Sequence, residues 1–368
     1  MVLSKPAKII TIVICGLVFV VGLYFYNIFY GGNTFDVDKK SLYVSKGDTW
    51  NQIVDSLETN GIVRNRSWFE FVVEMSRQVP QLHVGKYEFK SGISNNELFD
   101  KLRQGKGIVP IAVTLREGRR AESFSRSLGR RLHIDTLRFM SLVNDKSFAE
   151  SLGVEAANLE GYLSPNTYNF QWQEDEEEII KRLVHQTEKL FTDSLRARAA
   201  EMKMTIHQVI TFASLIEGEA MLDSERARIS GVYHNRLERG MKLQADPTIQ
   251  YIIDGPPRRL RFVDLFIKSP YNTYRNFGLP PGPISNPRAA SIIAALYPEH
   301  HNYIFFVANG SGGHWFSTNY AAHLDNVKKF KQQREEQIRL QGISEQNKGR
   351  PKLFSHHPPP PTASISST

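Results

Sequence analysis

The longest unbroken apolar run, Ile9 to Tyr30, contains no charged residue and has the length to cross a hydrocarbon core of about 30 Å at about 1.5 Å per residue. It predicts a transmembrane helix. Beyond it the pattern turns mixed: Leu42-Tyr43-Val44 alternates like a strand, Lys46 to Thr49 reads as a turn, and Trp50, Ile53, Val54 and Leu57 fall at helical spacing behind an Asp48 or Thr49 cap. Ser94 to Leu102 predicts a further helix after the Gly92 turn, and Ile111 to Leu115 a strand. The segment Leu159 to Tyr168 is rich in turn formers and aromatic rings and is expected to be a loop lining a cleft. Ile180, Leu183, Val184, Thr187, Phe191 and Leu195 then follow the acidic run Glu174 to Glu178, which suits a helix start. Thr205 and Gln208 have capping-box spacing ahead of an apolar helix, and Ile229, Val232, Tyr233 and Leu237 mark the next one, Glu225 to Arg239. A hairpin is expected from Asn302–Ala308 and His314–Phe316 across a Gly-rich turn, then a helix from Asn319 to about Leu340. The fold class that results is α+β.

The predicted organisation is a short tail over 1–8, the transmembrane helix over 9–30, a linker over 31–41, a small α+β module over 42–108, a larger mixed α+β unit over 109–340 and a disordered, Pro-rich tail over 341–368. The apolar run continues into Tyr24, Phe25, Tyr26, Phe29 and Tyr30, an interfacial aromatic belt that favours an uncleaved anchor over a signal peptide. Lys5 and Lys8 place the amino terminus in the cytoplasm and everything after Tyr30 outside it. A net charge of +8 and a pI near 9.4 favour an anionic partner. The topology removes nucleic acid from the candidates and leaves the lipid bilayer or an acidic polymer. Cys15 is the single cysteine, so there is no internal disulfide, no paired-cysteine metal site and no cysteine chemistry in the folded part. No metal or other cofactor is expected.

Glu217 and Glu219 interrupt the apolar helix at Ala213 to Ala220. At about 100° per residue they flank its apolar face, each about 80° from the centre. A carboxyl at the edge of a core is either paired with a cation or shifted in pKa so that it can hold and deliver a proton. Periodicity does not rank the two, and pairing with Arg226, Arg228 or Lys242 is the alternative. Gln244, Asp246 and Thr248 are expected in a loop between helices, placed to hydrogen-bond sugar hydroxyls or acetamido groups.

Several motifs in order, ASLIEGEA, SERARISGVYHNRL, MKLQADPTIQY, SPYNTYRNFGLPPGPISNPRAASIIAAL and YIFFVANGSGGHWFSTNYAAH, resemble the endolytic murein transglycosylase (YceG-like) family. The strand, turn and helix opening at Leu42 similarly resembles a LysM module, a small domain associated with N-acetylglucosamine polymers. The family resemblance implies an inner-membrane enzyme that cuts the β-1,4 bond between N-acetylmuramic acid and N-acetylglucosamine in nascent peptidoglycan strands without water, leaving 1,6-anhydro ends and ending strand elongation. It maps the catalytic acid and base to Glu217, with Glu219 as the supporting or second candidate. By the same match Gln244, Asp246, Tyr251, Tyr271, Asn272, Thr273, Tyr274, Asn286, Asn309, His314, Phe316 and Asn319 are expected around the substrate. Gly278 to Pro283 is expected to be a rigid loop shaping the groove. Gly218 and Ala220 stand where the family usually has Lys and Thr, and Ser164 and Asn166 where it usually has Phe and Asp. Implied partners are peptidoglycan strands, the bilayer and peptidoglycan synthases. Two rival classes remain: a non-catalytic peptidoglycan-binding protein that recruits synthases, and a muramidase-type hydrolase using two carboxylates, for which Asp246 and Glu219 are available.

Overall fold

A computed structural model describes residues 5–78 and 81–348. It opens with α1 (Lys5–Tyr30), most of whose apolar side chains are exposed, with Ile28 buried and Phe29 half-buried near its end, as expected of a helix made for lipid. The expected linker is partly ordered: β1 (Gly32–Asn33) lies within it and β2 starts at Lys39 and runs to Val44. Next come α2 (Trp50–Thr59), α3 (Arg66–Ser76), β3 (Gly85–Lys90), β4 (Ile93–Ser94) and α4 (Asn95–Gln104). Thr49 caps α2 in a reciprocal capping box with Gln52, and Ser94 caps α4. β2 pairs antiparallel with β3, Lys39 opposite Lys90 through Val44 opposite Gly85. The helix that follows α2 is therefore α3, and the Ser94 helix comes third. Leu42, Val44, Ile53, Val54, Leu57, Tyr87, Phe89, Leu98 and Phe99 close a small core of their own. Asn95 ties it to the end of α1 by donating to the Ile28 carbonyl at 2.9 Å.

The larger core begins at β5 (Ile111–Leu115), followed by α5 (Ala121–Leu132), α6 (Thr136–Val143), α7 (Lys146–Ser151) and β6 (Asn166–Phe170). β5 and β6 pair antiparallel, so Asn166 to Tyr168 form strand where a loop was expected. Leu159 to Leu163 form a turn buried against the core, from which Tyr162 alone lines a hollow, one of about 500 Å³ shared with Val184, His207 and Ile210. The acidic run does start a helix, α8 (Glu176–Leu190), capped by Asp175; the chain breaks at Phe191 and restarts under Thr192 as α9 (Asp193–Glu201). Then follow α10 (Ile206–Glu219), a 3-10 turn at Asp223–Glu225, α11 (Arg226–Glu238) and α12 (Asp246–Ile252). A second 3-10 turn at Phe262–Phe266 precedes α13 (Ala289–Leu296), the hairpin β7 (Phe305–Ala308) and β8 (His314–Ser317), and α14 (Tyr320–Lys348). Helix α14 runs past the Leu340 end read from sequence; the rest of the expected tail, and residues 1–4, lie outside the described residues.

Helix α10 is the axle of this core. Every residue from Val209 to Glu217 is buried, and the helix packs against α9, α11, α12 and α13. A helix apolar on all sides requires this enclosure, and the Thr205–Gln208 capping box fixes where it begins.

Candidate active site

Glu217 and Glu219 occupy the last turn of α10, where the helix dipole and its unpaired carbonyls oppose negative charge. The structure handles the two carboxylates differently. Glu217 is buried within a cage of donors: Ser291 Oγ at 2.8 Å, Arg288 Nε at 3.1 Å, the Arg288 backbone N–H at 3.2 Å and Arg226 Nη1 at 3.4 Å. Three of these four donors belong to Arg288 and Ser291 at the amino end of α13, whose dipole favours an anion. Arg226 is buried and also donates to Ser291 Oγ at 2.8 Å, while half-buried Arg288 reaches the surface. Exposed Asp223 binds both arginines, at 2.9 and 3.4 Å, and closes a ring of alternating charge.

Glu219 has no cation in contact. Its carboxylate accepts from Tyr233 Oη at 2.9 Å, and burial raises its pKa to about 7, with the Asp246 charge adding to the rise. The same contact and burial push the Tyr233 hydroxyl far above its ordinary value. Tyr274 Oη in turn donates to Asp246, so two tyrosine–carboxylate pairs, Tyr233–Glu219 and Tyr274–Asp246, lie side by side on the opposite flank of α10 from the arginine cage.

Between the carboxylates stands Gly218. A Cβ there would lie 2.6 Å from Pro247 Cβ, so the missing side chain is what lets α12 close onto α10. On the other side Gly118, at φ +65°, brings the loop after β5 against Glu217, where a Cβ would meet Glu217 Cγ at 3.2 Å.

Asn286 holds that loop. Its carbonyl accepts from the Gly118 N–H at 2.9 Å, its N–H donates to the Arg119 carbonyl at 3.1 Å, and its side-chain nitrogen donates to the same carbonyl at 3.0 Å and to Glu160 at 2.9 Å. Its side-chain oxygen accepts from the Gly161 and Leu163 N–H groups at 2.9 and 3.0 Å. Glu160, pushed to about pKa 7 by burial, also accepts from the Ala121 N–H that opens α5. Fully buried with every polar atom spent, Asn286 positions the site and has nothing left for a sugar.

Asn272 and Thr273 are likewise buried and bonded inside the protein. Asn272 braces the carbonyls of Leu265 and Ile267, and Thr273 Oγ1 accepts from the Ala245 N–H at 2.9 Å. Asp246 lies beside Glu219, and Gln244, two residues before it, is exposed at φ +52°; Asp246 and Thr248 belong to helix α12 and not to a loop. The Tyr251 and Tyr271 rings pack 4.8 Å apart, with the Arg120 guanidinium 4.6 Å from the Tyr251 centroid. The remaining candidates gather at the hairpin. Asn309 organises its turn by accepting from the Ser311 and Gly313 N–H groups, and Asn319 caps α14. His314 bonds Glu225 through its ring at 2.7 Å and its backbone N–H at 2.9 Å, and Phe316 faces Tyr303 and Arg228. Glu225 directly precedes Arg226, so the hairpin buttresses the arginine cage. The Gly278–Pro283 loop lies at the other end of α10, where the Pro281 carbonyl accepts from His207 Nε2 at 2.9 Å, and so does not border Glu217.

Sequence reasoning missed Arg288 and Ser291 as site residues. The one available signal was a polar start, Asn286-Pro287-Arg288, to a helix of small residues, which marks an amino terminus able to receive an anion. Among the described residues no group of acidic, histidine or cysteine side chains is arranged to hold a metal ion.

The YceG-like family model matches residues 42–329. The chain belongs to the YceG-like family. An endolytic murein transglycosylase of Bacillus subtilis (strain 168) is 28% identical over 305 residues, spanning 79% of this chain and 84% of that protein. One from Streptococcus pneumoniae (strain ATCC BAA-255 / R6) is 26% identical over 318 residues, spanning 77% of this chain and 57% of the longer relative. The crystal structure of a YceG-like protein from Listeria monocytogenes aligns at a TM-score of 0.57 with 30% identity, covering 78% of this chain and 98% of that one.

Proposed function

We propose that this chain is an endolytic lytic transglycosylase that cleaves the β-1,4 bond between N-acetylmuramic acid and N-acetylglucosamine in nascent murein strands, leaving 1,6-anhydro ends and terminating elongation. The observation that carries the reading is the cage around Glu217, a buried carboxyl fixed by Arg226, Arg288 and Ser291 beside the Gly118 loop, in a chain whose family relatives are called endolytic murein transglycosylases. One carboxyl serves both steps. It first gives its proton to the leaving glycosidic oxygen as the C1–O bond breaks, then as carboxylate takes the proton of the muramoyl C6 hydroxyl while that oxygen bonds to C1. No water enters the products. Arg288, bonded to Glu217, is placed to stabilise the carboxylate that Glu217 becomes between the two steps, once its proton has gone to the leaving oxygen.

A specific observation favours a second assignment. Glu219 keeps its proton to about pH 7, which suits a general acid, with Tyr233 and Asp246 as its neighbours. Glu217 remains the leading assignment because the family resemblance selects it.

The exposed apolar helix α1 supports anchoring in the inner membrane, with the folded part outside the cytoplasm, close to the synthases that extrude new strands. The strand, helix, helix and strand order of β2, α2, α3 and β3 supports a LysM-like module over 42–108 that touches glycan, joined to a catalytic domain over 109–340. Full-length protein in detergent, incubated with murein in oxygen-18 water, tests the function by mass spectrometry. Unlabelled anhydro-muramoyl ends are expected. Labelled reducing ends would instead establish a hydrolase, and tight binding without cleavage a recruiting protein.

A further inference from the structure

Two hollows meet on the face of α5. One, of about 680 Å³, is lined by Ala112, Val113 and Thr114 of β5 and, along its basic wall, by Arg116, Arg119, Arg130 and Arg131. The other, of about 560 Å³, shares Ala112, Arg130 and Arg131 and continues to Lys86, His133, Tyr43 and Trp172. No acidic residue lines either one. Among the described residues none of the four arginines pairs with a carboxylate, whereas Arg120 and Arg138 nearby both do. All four are exposed, so their charges are unspent.

One end of the groove is next in the chain to the loop that packs on Glu217. Arg119 follows Gly118, the residue packed on Glu217, and its carbonyl is pinned by Asn286. From there it follows α5, whose 12 residues span about 18 Å, to Arg130 and Arg131. That is the reach of about five extended residues. Three consecutive residues of β5 line the wall, and β5 is paired on one side only, with β6, although its Ala112 carbonyl already accepts from Arg131 Nη2 at 3.4 Å. An extended acidic peptide suits such a wall chiefly because its carboxylates meet guanidiniums. A neutral sugar chain gains little from four arginines.

We propose that this groove binds the acidic peptides carried by the glycan strand, with Arg130 and Arg131 receiving their carboxylates while the glycan lies at Glu217. The inference rests on the murein reading above and names the part of the substrate that the reading leaves unassigned. Arg130 and Arg131 are remote from the carboxylate cage, so their loss leaves chemistry on bare glycan intact.

Full-length protein is given glycan strands of equal length, with and without their peptides, and kcat/KM is measured for each; binding of a peptide-bearing disaccharide and of its peptide-free counterpart is measured in parallel by calorimetry. The wild type is expected to favour the peptide-bearing forms by about tenfold, an advantage that shrinks with added salt. The Arg130→Ala/Arg131→Ala variant should lose the advantage while cutting bare strands at the wild-type rate, and Arg130→Lys/Arg131→Lys should keep most of it. Equal treatment of both forms by the wild type, or an advantage that survives the double alanine change, overturns the inference while leaving the murein activity in place. Peptide-dependent binding that needs the arginines, with no cleavage of either strand, upholds the groove and removes the lytic reading instead. Inorganic pyrophosphate serves as a competitor. If it displaces the peptide-bearing disaccharide at far lower concentration than free acidic peptide does, the groove is a phosphate site and the inference fails.

Discussion

Asn286 spends every polar atom it has inside the protein, and the Gly118 loop beside Glu217 hangs on those bonds. Asn286→Ala strands the N–H groups of Gly161 and Leu163 in the core and removes a partner of Glu160, so a loss of about 3 kcal/mol is expected in denaturant unfolding. Glu219 makes a different prediction. Its pKa is raised from 4.5 in the unfolded chain to about 7 in the folded one, so between those values the native state holds a proton that the unfolded state has released. Its contribution to stability is therefore present below about pH 4.5 and is lost as pH rises to 7, by roughly 3 kcal/mol. Glu219→Gln, which keeps the neutral form at every pH, should gain stability relative to the wild type across that window; parallel pH profiles of Tm check the sign. Sequence patterning identified both glutamates as residues at the edge of a core and left their difference open. That difference is made by Arg288 and Ser291 on one side and Tyr233 on the other, residues distant in the chain that only the packing of α11 and α13 brings in.

Helix α10 was legible because its signals are local: a capping box, then an apolar run ending in two carboxylates. Helix α3 and strand β3 were not, since their apolar positions take meaning only from the small core they share with α2 and α4. The start of α12 at Asp246 was read as loop for a related reason. Pro247 at the first turn of a short helix looks like a turn until Gly218 is seen beneath it. Gly218→Ala should raise helix propensity by about 1 kcal/mol, yet the 2.6 Å approach to Pro247 makes the methyl group an overpacking change costing about 1–3 kcal/mol. A lower Tm is expected, with Glu219 more open to solvent. A higher Tm would mean that α12 does not close on α10 as described.

At the scale of the whole molecule, an exposed apolar helix leads into two cores, and the basic groove runs along the second from Arg119, beside the Gly118 loop, toward Tyr43 and Lys86 of the first. The apolar span and the α+β character were readable from composition and periodicity; the groove was not, because its arginines come to share one wall only when β5 is set beside α5. Chain lacking residues 1–30 should remain in the supernatant after membranes are pelleted, whereas the full chain should sediment with them. The most direct measurement of the central claim is single-turnover formation of anhydro-muramoyl ends by the wild type, Glu217→Gln and Glu219→Gln. Glu217→Gln is predicted to slow the reaction at least about a hundredfold with glycan binding unchanged, and Glu219→Gln by less than about tenfold. If Glu219→Gln abolished turnover and Glu217→Gln did not, the assignment of the acid and base to Glu217 would be contradicted.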